Sequence, residues 1–159
     1  MRTLQLTALS TMTALLLGGC ASSVPVSFGD KDTEARLKRM EPIPGKVSLY
    51  MCRPDGTPFS SAMQMTGGVD GTRLGTIDVS QFTHAAIAPG PHEVYAILGN
   101  PKGNGLSGKM SIDAQAGEIV YIWVGRTGGG LGAFTVDKFS KPADAQACIR
   151  DGKYTVAIP

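Results

Sequence analysis

At 159 residues, with 42% hydrophobic and 18% charged content, the chain is sized for one globular domain and is too apolar for an unfolded tail. A formal charge of +2 without a clustered basic stretch argues against a nucleic-acid partner. The 21 glycines and 10 prolines favour many short strands joined by turns over a helical bundle.

Arg2 supplies a short basic start, and Leu4, Leu6, Leu9, Met12, Leu15, Leu16 and Leu17 punctuate an uncharged stretch behind it. That stretch is too short and too rich in Thr and Ser for a membrane-spanning helix, which needs about 20 mostly apolar residues, and suits the apolar region of an export signal. It ends in Leu17-Gly18-Gly19-Cys20, which resembles the lipobox of bacterial lipoproteins: a branched apolar residue, two small residues that let the backbone lie close in a peptidase cleft, then cysteine. The resemblance implies a signal peptide over residues 1–19. It also implies that the Cys20 thiol takes up diacylglycerol and acyl chains, palmitate among them, so that the partner is membrane lipid. Ala21, rather than Asp, further implies the outer membrane, with the domain on its periplasmic face. The alternative is an ordinary secretory peptide with an incidental Cys20. With Arg2 set aside the net charge falls from +2 to +1.

Residues 20–45 read as the lipidated cysteine and a tether. Ser22, Ser23, Pro25, Ser27, Gly29 and Asp30 are turn and linker residues. Val24, Val26 and Phe28 alternate, as in a short edge strand, and Pro25 excludes a more central place. Asp32 to Met40 predicts two turns of helix capped by Asp32, with Arg36, Lys38 and Arg39 near its negative end. Pro42 and Pro44 stop that helix.

Residues 46–159 then read as one mainly β domain. Val47, Leu49 and Met51 alternate with Ser48, Tyr50 and Cys52, the period of a half-buried strand. Asp70-Gly71 separates Met65–Val69 from Leu74–Val79 and predicts a hairpin. Pro89-Gly90 lies between Phe82–Ala88 and His92–Leu98 and predicts a second. Lys109–Ala114 alternates around Met110 and Ile112, whereas Ile119–Val124 is apolar throughout, as in a central strand covered on both faces. Phe134 and Val136 begin another strand. Ser140 is placed to cap a short C-terminal helix, with Pro142 in its first turn and Gly152 past its end. Tyr154, Val156 and Ile158 form the last strand.

In order along the chain, Lys46-Val47-Ser48-Leu49-Tyr50-Met51-Cys52-Arg53-Pro54, Val69-Asp70-Gly71, Pro89-Gly90-Pro91-His92 and Ala116-Gly117-Glu118 resemble the successive marks of a family of small bacterial lipoproteins classed as a domain of unknown function. The likeness spans about Lys46 to Trp123. The chain departs from the family in Met51-Cys52, where a valine-tyrosine pair is commoner, and in its Gly-rich loop at 125–132. The resemblance implies a small β-sandwich and no activity; with the helix read from Ser140 to Gly152, the expected fold is a small β-sandwich with one short C-terminal helix.

With Cys20 assigned to lipid, Cys52 and Cys148 remain. In an oxidising compartment they either form a bridge, tying the first strand to the C-terminal helix, or stay as two separate thiols. His84 and His92 flank Pro89-Gly90. In a two-residue hairpin an odd offset would set them on opposite faces, roughly 10 Å apart, so no shared metal site is expected. Thr127-Gly128-Gly129-Gly130-Leu131-Gly132 lacks the Lys-Ser/Thr sequel of a phosphate loop. Ser60, Ser61, Ser80 and Ser107 have no nucleophile-elbow context. Catalytic, cofactor and metal residues are therefore expected to be absent. The reading is a lipid-anchored, non-enzymatic binding or structural module of the envelope, contacting an envelope protein partner through loops such as 99–108 and 125–132. Its rival is an envelope enzyme acting on a sugar or peptide polymer, which would show a cleft with convergent carboxylates or a histidine constellation.

Overall fold

Short runs of β-branched and aromatic residues, broken by glycine and proline, build a mainly β domain in a computed structural model that describes residues 25–54, 64–99, 107–126 and 134–158. The elements in chain order are β1 (Ser27–Phe28), α1 (Lys31–Leu37), β2 (Val47–Arg53), β3 (Met65–Val69), β4 (Thr72–Ile77), β5 (Gln81–Ile87), β6 (Gly90–Leu98), β7 (Ser107–Ala114), β8 (Ile119–Arg126), β9 (Phe134–Lys138), α2 (Pro142–Asp151) and β10 (Lys153–Val156). One sheet has the order β1-β10-β5-β2-β8-β9 and the other β4-β3-β6-β7. The larger sheet is mixed, with β2 parallel to β8 and β10 parallel to β5.

The two sheets enclose one apolar core. Val47, Leu49 and Met51 of β2 and Val120, Ile122 and Val124 of β8 point inward on alternate positions. They meet Met65 and Val69, Val94 and Ala96, and Ile112 and Ala114 from the smaller sheet. Burying one such side chain contributes roughly 1.5–3 kcal/mol, so this face dominates the stabilisation of the fold. At one margin β4 lies beside β10, and there Gly75 is needed: a Cβ on it would meet the Thr155 carbonyl at 3.1 Å.

The opposite face of the larger sheet carries a second cluster, in which Tyr50, Cys52 and Phe82 pack against Leu37 of α1 and Cys148 and Ile149 of α2. Cys52 and Cys148 form a disulfide, their Cα atoms 6.3 Å apart across 96 residues of chain. β2 is therefore buried along its whole length, apolar core on one side and helices on the other. Sequence periodicity assigns double coverage to Ile119–Val124 instead. In the structure Ile119, Tyr121 and Trp123 of β8 stay half-buried, because neither helix reaches over all of them.

The expected mainly β architecture with a short C-terminal helix stands, as does the Asp70-Gly71 hairpin, whose turn residues take φ 48° and 76°. The second hairpin does not form. β5 pairs with β2 and β10, β6 pairs with β3 and β7, and Pro89-Gly90 is a corner where the chain leaves one sheet for the other. Both edges of each strand are already occupied by other partners. The helix caps also shift: Asp30, not Asp32, accepts from the Thr33 N–H at 2.8 Å, and α2 begins after Lys141 rather than Ser140. Residues 25–45 pack on the domain. β1 pairs with β10, Gly29 donates to the Tyr154 carbonyl at 3.1 Å, and Leu37 is buried. Residues 1–19, Cys20, Ser60, Ser61, the 127–132 glycine run and most of the two expected contact loops lie outside the described residues.

Candidate functional site

The last carbonyls of a helix stay open to donors from outside it, and the Leu37 carbonyl at the end of α1, which accepts from the Met40 N–H at 2.9 Å, takes a second donor from the sheet. The Tyr50 hydroxyl rises from the outer face of β2 and donates to the Leu37 carbonyl at 2.9 Å. Glu34 accepts from the Tyr154 N–H at 3.0 Å, so α1 is fastened to β10 as well. Between these fastenings, α1 and the Pro42-Ile43-Pro44 segment stand over the outer face of β5 and leave a cleft of about 430 Å³. That volume is within the ~300–1,000 Å³ of small-molecule sites. Tyr50, His84 and Tyr154 line it, the small Ala86 leaves room above β5, and Arg36 and Glu41 also line it.

His84 is the chemically distinctive member. It is the register partner of Tyr50, and the two ring centroids are 4.6 Å apart. Burial, assisted by the charge of Arg36, lowers its pKa to about 4, so the ring is neutral at physiological pH. Its Nε2 is buried and has no hydrogen-bond partner. Burial likewise pushes the Tyr50 hydroxyl up to about 12. The arrangement offers a neutral imidazole nitrogen and aromatic walls beside one guanidinium, a set suited to holding a small group.

His92 is placed differently. Its Nδ1 meets Asp70 Oδ2 at 2.5 Å and its Nε2 meets the Ala88 carbonyl at 2.8 Å. Two acceptors call for two ring protons, and hydrogen bonding to Asp70 accordingly raises the His92 pKa. Asp70 Oδ1 also accepts from the Glu93 N–H at 2.9 Å. The Val-Asp-Gly turn is thereby clamped to the Pro-Gly-x-His corner. The other two motifs, around Lys46–Pro54 and Ala116–Glu118, are joints too. The Arg53 carbonyl accepts from Ser80 N–H at 3.0 Å, Gly117 N–H donates to Lys46, and Ser48 N–H donates to Glu118. All four motifs thus hold strands together, and the cleft draws only Tyr50 from them.

The two histidines, expected on one hairpin, lie on different sheets and share nothing. Among the described residues no group of three or more His, Cys, Asp or Glu is placed to hold a metal ion. No described helix is long and apolar enough to cross a membrane. Sequence reasoning missed the cleft. Its one signal, outward Tyr50 and His84 on neighbouring strands, needs the β2–β5 register to be seen. No family model and no curated protein matches the chain.

Proposed function

We propose that this chain is an exported lipoprotein of the bacterial envelope, one of the small lipoproteins its motifs resemble. Cys20 carries the lipid anchor, the outer membrane is the address favoured by Ala21, and the domain is a binding module rather than a catalyst. The observation that carries this reading is the Cys52–Cys148 disulfide. Such bonds persist in exported proteins and are rare where thiols are kept reduced, which agrees with an export signal read independently from residues 1–19.

The cleft is the proposed contact site. Its lining includes a single carboxylate, Glu41, where hydrolysis of a sugar polymer uses a pair. Expressed in a Gram-negative host, the native protein should fractionate with membranes and Cys20→Ala should not. A native protein that stays soluble defeats the anchor. Partners recovered from detergent-solubilised membranes should be lost from Ala86→Trp, which fills the cleft from an exposed position. Retention of every partner by that variant removes the cleft from the reading.

A further inference from the structure

Two large hydrophobic side chains stand exposed among the described residues, Phe28 at 54% and Ile158 at 49%; Phe28 is on β1, the edge strand of the larger sheet, and Ile158 lies two residues past the end of β10, its neighbour. Ser27 pairs with Val156 and Phe28 with Thr155, and the Pro25 carbonyl, just before β1, accepts from the Thr76 hydroxyl of β4 at 3.4 Å. The chain therefore runs on toward Cys20 from the N-terminal end of β1, with Phe28 three residues from Pro25.

The reach of that connection is short. Four residues lie between Cys20 and Pro25, and the five Cα-to-Cα steps span at most about 18 Å fully extended. The headgroup layer on one side of a bilayer takes up about 5–8 Å of this. An acylated Cys20 then holds Pro25 no more than about 10–13 Å above the lipid surface. Because residues 25–45 are packed on the domain, they add no slack.

We infer that the β1–β10 edge rests on the membrane that holds Cys20, with Phe28 and Ile158 seated at the headgroup boundary. The inference rests on the lipid anchorage proposed above. The charges around the edge are balanced: Asp30 and Asp32 against Lys31 and Lys153, whose Nζ lies 5.8 Å from the centre of the Phe28 ring. The contact is thus apolar, unlike a polybasic footprint that depends on anionic lipid. It also turns the domain so that β9, at the far end of the larger sheet, is the strand most distant from the lipid.

The test uses the full acylated protein in vesicles of neutral lipid brominated near the upper end of the acyl chains. Trp123→Phe removes the single tryptophan, and Phe28→Trp or Ile158→Trp then reports contact. Lys109→Trp, exposed on β7, is the distant control. Most of the emission at 28 and 158 should be lost to quenching, at low and high salt alike, with none lost at 109. Full emission at 28 and 158 while Cys20 is acylated and the protein stays on the vesicles overturns the edge contact and leaves the anchor standing. A Cys20 that carries no lipid in the mass spectrum overturns both. Unquenched but water-shielded emission from a cross-linkable dimer assigns the edge to a second copy and overturns the proposal.

Discussion

His84 and His92 are carried by consecutive strands, yet they sit in opposite electrostatic settings. His92 lies between a carboxylate and a carbonyl, and its hydrogen bond to Asp70 raises its pKa, whereas His84 lies under a helix among aromatic rings and is held neutral at a pKa of about 4. The corner at Pro89-Gly90 makes the difference, because it places β5 beneath the helices and β6 at an open hairpin end. The region around His92 is held by hydrogen bonds that solvent reaches. The region around His84 is held by burial and by a covalent bridge.

The bridge gives the largest expected effect. Closing a loop of 96 residues contributes about 4–5 kcal/mol in the chain-entropy model. Replacing Cys52 and Cys148 by alanine should lower stability to urea on that scale, and thiol counting on the unfolded, unreduced protein should find neither cysteine free. In the same double variant His84 should titrate closer to its ordinary value of about 6.5 as its cover loosens, with the His92 titration unmoved. A shift of both rings together would show that the two regions are not independent. Two free thiols in the native protein would remove the bridge outright.

His84 provides the next effect, with acid as the probe. Its folded pKa lies below the unfolded one, so the unfolded chain takes up a proton near pH 6.5 and the folded protein only near pH 4. Stability should therefore fall as pH drops from about 6.5 to 4. At 1.36 kcal/mol for each unit, discounted for partial solvent access, the loss is on the order of 2–3 kcal/mol. Urea midpoints across that window, compared with His84→Asn, isolate the contribution. If the variant loses as much as the native protein, the buried neutral ring is not the cause.

Much of this frame is legible in the residues, because alternation and turn chemistry are local. Val47, Leu49 and Met51 announce an inward face, Asp70-Gly71 announces a hairpin, and Pro142 with Gly152 brackets the second helix. The corner at Pro89-Gly90 is misread as a hairpin because a tight turn reports only that the chain changes direction. Whether the flanking strands pair is decided by which edges remain open once β2 and β10, and β3 and β7, have joined. The cleft is further from sequence still. It depends on α1 returning to cap itself on Tyr50, thirteen residues on, and nothing in Arg36 or Leu37 alone signals that return.

The smallest effect belongs to the clamp, and it has the opposite dependence on pH. The His92 pKa is raised by its hydrogen bond to Asp70, so its contribution is complete below the unfolded value near 6.5 and disappears as pH rises through the folded value. The Asp70 pKa is lowered by His92 first and the Glu93 N–H second, so its contribution is present above the ordinary carboxylate range and is lost as pH falls through the folded value. The pair is strongest between those limits. Asp70 is half exposed, which keeps the ion pair to about 0.5–1 kcal/mol at low salt. His92→Gln should therefore cost that amount at pH 6, almost nothing well above neutrality, and less in high salt. Asp70→Asn should behave alike, since its amide oxygen still accepts from Glu93 but no charge faces the ring. The contrast with His84 is testable in one titration: His84→Asn flattens the acid side of the stability profile, and His92→Gln flattens the alkaline side. If both variants flatten the same side, the two rings share one environment and the placement of β5 and β6 on separate sheets is wrong.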